Sequence, residues 1–140
     1  MSENLEADLV ISIISLQSKI QKRVGAALSV HGIGLSEYLV LNQLYIATNQ
    51  KMRRSDLAEQ VGLSPSGVTR LLNPMEKIGL IEKSYNPRDA RVSLVALSET
   101  GKKITEEAKI SFEYSSVALF ESIEKKRLSA FSELLRVVAK

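Results

Sequence analysis

The chain has 140 residues, 44% hydrophobic and 25% charged, which suits one globular domain and excludes a collagen-like or wholly disordered chain. It has no cysteine and a single histidine, His31, so disulfides, thiolate metal sites and thiol nucleophiles are excluded, and a histidine-based triad has little to work with. The net charge of +3 is uneven: −1 over residues 1–50, +3 over residues 51–91 and +1 over residues 92–140, which puts the excess in the middle third.

Residues 5–31 read as one long helix, with Leu5, Leu9, Ile13, Leu16, Ile20, Val24 and Leu28 at three- and four-residue steps. His31-Gly32-Ile33-Gly34 ends it. A second helix is expected from Ser36 as N-cap, through Tyr38, Leu41 and Leu44, to about Thr48. Thr48-Asn49-Gln50 reads as a polar loop. A short third helix follows Ser55 and breaks at Gly62. Ser64-Pro65 opens a fourth, a hydroxyl at the cap and proline at the first position, which continues to Gly79. Pro74 lies inside that pattern and is expected to bend it. Two strands come next, Leu80–Tyr85 and Val92–Leu97, joined by a turn at Asn86–Ala90. Ser98 then caps a long charged helix to Leu119, and a last helix spans Ile123–Lys140. No apolar run is long enough for a membrane span, and the acidic N-terminus lacks the basic start of a secretory signal, so a cytoplasmic location is expected.

The most informative segment is residues 54–73. A helix-turn-helix needs a small residue at the helix crossing, a turn that tolerates positive φ, and apolar residues locking the second helix to the first. Ala58, Gly62 and the set Leu57, Val61, Leu63, Val68 and Leu71 meet those needs at the usual spacing. A helix pair of a plain helical core shares part of this pattern. The two strands that follow narrow the choice, because they make the unit a winged helix. The exposed side of the second helix offers Ser64, Ser66, Thr69, Arg70 and Asn73, groups able to reach base edges and phosphates in a major groove. The hairpin tip carries Arg88, Asp89 and Arg91. An arginine on a narrow ribbon suits a minor groove, and Asp89 suits the task of orienting a neighbouring arginine.

The stretches DLAEQVGLSPSGVTRLLNPMEKIGLIEK and NPRDARVSLVALSETGKK resemble the MarR family of bacterial transcriptional regulators, and the order of elements is similar over nearly the whole chain. Asp89, Arg91, Leu97, Ser98 and Gly101 occupy the places of that family's wing signature. Ala90 and Asn86 depart from it, where the family often has a second arginine and an acidic residue. The resemblance implies a mainly α fold with a small sheet (α+β): a winged helix-turn-helix lobe over residues 35–98, and a helical dimerisation region over 1–34 and 99–140. It implies a homodimer on a pseudo-palindromic double-stranded operator, acting as a repressor. The apolar stripes of the terminal helices independently exceed what one small lobe can cover. By resemblance, Arg91 is the minor-groove arginine and Asp89 its support. A small anionic aromatic effector is a further implication, with Arg23, His31 and Tyr38 as the candidate polar groups near the junction of the two regions.

No cofactor or metal is expected, and no nucleophile–base pair or glycine-rich phosphate loop suggests an enzyme. The alternative is a winged-helix module that binds a protein and not specific DNA.

Overall fold

Residues 3–140 are described by a computed structural model, in which helices frame a small sheet. In chain order the elements are α1 (Leu5–Ser29), α2 (Leu35–Ile46), β1 (Lys51–Arg53), α3 (Arg54–Val61), α4 (Pro65–Lys77), β2 (Ile81–Asn86), β3 (Asp89–Leu97), α5 (Glu99–Leu119) and α6 (Lys125–Val138). The mainly helical winged fold expected from the sequence is the one observed.

Local chemistry sets the boundaries. The Asn4 side chain accepts a hydrogen bond from the Ala7 N–H at 2.8 Å and starts α1. The start of α2 corrects the sequence expectation. Its cap is Gly34, not Ser36, because the Glu37 carboxylate reaches back to accept from the Gly34 N–H at 2.7 Å. Helix α3 starts at Arg54, one residue before Ser55. Helix α4 runs unbroken through Pro74. That proline is exposed, so its ring meets solvent, and the helix forgoes one backbone bond without ending. The last helix is shorter than expected at both ends, spanning Lys125–Val138.

Strand β1 is absent from the sequence expectation. The polar stretch at 48–50 is a tight turn in which Asn49 and Gln50 take left-handed φ values of 58° and 54°, and it delivers the chain to the edge of β3. Lys51, Met52 and Arg53 pair antiparallel with Ala96, Val95 and Leu94. A three-residue strand with two cations shows no period-two apolar signal; only the partner edge makes it a strand. The sheet order is β1-β3-β2, with β3 central.

The core lies under this sheet. Leu28, Val40, Leu41, Leu44, Leu57, Leu72 and Met75 are essentially inaccessible to solvent and join α1, α2, α3 and α4 in one cluster. A second seam fixes α5 to the base of the wing. The Ser98 hydroxyl accepts from the Gly101 N–H at 2.9 Å and shares its hydrogen between the carbonyls of Gly79 and Leu80, at 2.6 and 2.9 Å. Gly101 sits so close that a Cβ there would overlap the Leu80 carbonyl oxygen. Its place in the wing signature is therefore a packing requirement.

The ends of the chain are different. No residue of α6 is buried, and α1 leaves Leu5, Leu9, Val10, Ile11, Ile13 and Ile14 exposed. No helix among the described residues is long and apolar enough to cross a membrane.

Candidate nucleic-acid interface

Helix α3 ends because Gly62 adopts φ 71°, a left-handed conformation that glycine tolerates without strain. Leu63 then donates its N–H to the Ala58 carbonyl at 2.9 Å, closing the turn that sends the chain into α4. Ser64 caps α4 by accepting from the Gly67 N–H at 3.1 Å, and Pro65 occupies its first position. Val68, Leu72 and Met75 face inward, which leaves Ser66, Thr69, Arg70 and Asn73 exposed on the opposite side. The exposed row is the one read from the sequence.

The hydroxyls of this row are not equally available. Ser64 is engaged as the cap, 3.3 Å from the Ser66 hydroxyl. Thr69 donates to the Pro65 carbonyl at 3.0 Å and accepts from an Arg54 guanidinium N–H at 3.0 Å. Arg70 and Asn73 make no side-chain hydrogen bond within the described residues.

The wing is tighter than the sequence suggests. Asn86 pairs with Asp89, so the tip is only Pro87 and Arg88, and β3 begins three residues before Val92. The Asn86 side chain accepts from the Arg88 N–H at 2.9 Å, which closes the turn. The register slips between Tyr85 and Asn86. Within that slip Asp89 holds Arg91 three times: its carboxylate accepts from the Arg91 backbone N–H at 3.0 Å, from Nε at 3.1 Å and from Nη2 at 3.4 Å. The Arg91 side chain nevertheless stays 92% exposed. These hydrogen bonds, side-chain first, hold the Asp89 carboxyl below the usual carboxylate range. Arg88 is also exposed at the tip.

A family model described as MarR family matches residues 33–93, the span from the end of the first turn through most of the wing. That span is 61 of the 140 residues, and over it the chain resembles the MarR family. Curated relatives that it matches are named HTH-type transcriptional regulators or repressors. The repressor MdtR of Bacillus subtilis (strain 168) is 27% identical over 100 residues, which are 71% of this chain and 63% of MdtR, just under two-thirds of that protein. Among solved structures, the MarR-family regulator Sco3205 of Streptomyces coelicolor, solved in complex with DNA, superposes with a TM-score of 0.88 at 19% identity, covering 99% of this chain and 89% of that one. CouR of Rhodococcus jostii RHA1, solved bound to p-coumaroyl-CoA, gives 0.85 at 22% identity, covering 99% and 96%. Likeness at these identities speaks for the shared fold.

In this winged lobe, sequence reasoning missed one group near α4. Lys51 and Arg53 are exposed on β1, and Arg54 opens α3 beside Thr69. The run Lys51-Met52-Arg53-Arg54 was the available signal: three cations in four residues directly before the motif.

The three groups proposed for an effector have distinct settings. The His31 Nε2 lies 2.8 Å from the Ser111 hydroxyl of α5, and the ring is half-buried. The Tyr38 ring is 2% exposed and stacks on Phe112 with centroids 4.6 Å apart. Burial, and then the Glu113 charge, push the Tyr38 hydroxyl above its ordinary pKa. Arg23 stands exposed on α1. His31 and Tyr38 thus both meet α5, whereas Arg23 faces solvent.

Proposed function

We propose that this chain is a MarR-family transcriptional regulator, a cytoplasmic homodimer that binds a pseudo-palindromic operator as a repressor. The observation that carries the reading is the wing. Arg91 is almost wholly exposed yet held in one orientation by Asp89, on the same lobe as the exposed polar face of α4. An arginine so presented suits a minor groove while α4 enters the adjacent major groove. Residues 35–98 form the DNA-binding lobe in this reading. Residues 1–34 and 99–140 form the dimerisation region, whose uncovered apolar side chains a second copy covers. Twofold symmetry places the two recognition helices about one DNA turn (~34 Å) apart. The sign of regulation follows MdtR, which is named a repressor.

We also propose release by a small anionic aromatic ligand, on the precedent of CouR, with Arg23, His31 and Tyr38 at its site. Tyr38 is buried in this conformation, so a ligand touching it must favour a different spacing of α2 and α5. That difference in affinity for two conformations is what links the ligand to DNA release.

The test is fluorescence anisotropy of the purified protein on DNA flanking its own gene, against scrambled DNA, over a salt series. Selective binding that falls steeply with salt supports the reading, the log–log slope being about −0.9 per phosphate neutralised. Equal, weak binding to both DNAs counts against it.

A further inference from the structure

We infer that Arg54 is a base-reading residue of the DNA interface, and that Thr69 is the residue that positions it. This rests on the DNA-binding reading above. Arg54 is the first residue of α3, half-buried at the rim of a cleft of about 380 Å³ between α3 and α4, which Pro65 and Thr69 also line. Its Nη2 donates to the Thr69 hydroxyl at 3.0 Å. That hydroxyl gives its own hydrogen to the Pro65 carbonyl at 3.0 Å. Thr69 therefore has no hydrogen left for a base acceptor, and one of its lone pairs is occupied.

Two consequences follow. Thr69 presents chiefly its methyl group to DNA. The donors at that point of the recognition surface are the remaining N–H groups of Arg54. Among the described residues no carboxylate forms an ion pair with Arg54, so these donors are available. A guanidinium offers only donors, in a planar fork. In the major groove that fork matches the paired acceptors of guanine, and the Thr69 methyl suits a neighbouring thymine methyl. The wing shows the same construction, an arginine held by a shorter side chain, on the minor-groove side.

The experiment starts from the sequence that the wild-type dimer selects from a random duplex pool. Affinity is then measured with each base pair of that sequence replaced in turn, for wild type, Arg54→Ala, Arg54→Lys and Thr69→Val. Thr69→Val keeps the shape and methyl group and removes only the hydroxyl. The expected result is loss of discrimination at one guanine per half-site in Arg54→Ala, roughly 5- to 140-fold. Lysine should not restore it, because an ammonium lacks the fork. Thr69→Val should weaken preference at that same guanine, and the double variant should lose no more than Arg54→Ala alone. A guanine analogue lacking the major-groove ring nitrogen should penalise wild type but not Arg54→Ala. An unchanged base profile in Arg54→Ala overturns the inference, including the case where affinity falls equally on all sequences and lysine restores it, which marks a phosphate contact. If wild type selects no sequence at all, the DNA-binding reading fails first, and the inference with it.

Discussion

The winged lobe and the terminal helices treat their apolar residues in opposite ways. In the lobe, Leu41, Leu44, Leu57 and Met75 are fully buried by neighbours from the same chain. In α6 no residue is buried, and Leu134 and Val137 remain 64% and 70% exposed. Monomeric proteins rarely leave a continuous apolar surface of more than a few hundred Å². The contrast separates two sources of stability. The lobe is held by its own packing, at about 25 cal/mol per Å² of apolar surface buried. Under the homodimer proposed above, the ends gain theirs from association, which depends on concentration.

The strongest challenge to the first half of this contrast is Gly101→Val. The new side chain must displace the Leu80 backbone at the seam between α5 and the wing, not merely a flexible tip. A loss above ~3 kcal/mol, or failure to fold, is expected from chemical denaturation. A tolerated valine would mean that the seam is far looser than the Ser98 hydrogen bonds imply.

The second half is probed by Leu134→Glu on α6. The variant should keep the helical circular dichroism of the lobe but sediment as a monomer at micromolar concentration. Its melting temperature should lose its dependence on protein concentration. Each copy should forfeit about 2 kcal/mol of association, the scale of burying one leucine. A dimer of unchanged affinity would show that α6 faces solvent in the assembly too.

Arg91→Ala tests whether the closed lobe carries its function on a surface group alone. Thermal stability should change little, since the side chain is exposed and the ion pair it forms is solvated. DNA affinity should drop roughly tenfold, or about 1.4 kcal/mol, with the salt slope shallower by about one. Normal binding by this variant would remove the wing from the interface.

These differences also explain what could be read from the sequence. The helices and the turn at Gly62 were legible because periodicity, caps and glycine act over a few residues. The exposed row Ser66, Thr69, Arg70 and Asn73 followed from the same period. Strand β1 was not legible, since Lys51–Arg53 becomes a strand only against β3. Nor was the cap at Gly34, where a carboxylate does what a serine was expected to do. Arg54 escaped because its link to Thr69 spans 15 residues and depends on the angle between α3 and α4. The exposed stripes of α1 and α6 were legible as apolar, but their lack of cover within one chain is a three-dimensional fact.

The smallest expected effect sharpens the comparison at its finest scale, because the wing tip is as exposed as the terminal helices yet internally ordered. The Asp89 carboxyl is held below the usual carboxylate range by Arg91. With a lowered folded pKa, the clamp contributes fully above the ordinary aspartate range and is lost as pH falls through the lowered value. A carboxyl-carbon NMR titration should therefore give Asp89 a midpoint below that of an ordinary aspartate. In Arg91→Ala the midpoint should rise toward the ordinary value while the fold stays intact. Identical midpoints in the two proteins would show that Asp89 does not hold Arg91 in solution. The wing would then belong with the chain's loose surfaces, and the orientation of Arg91 would have to come from DNA itself.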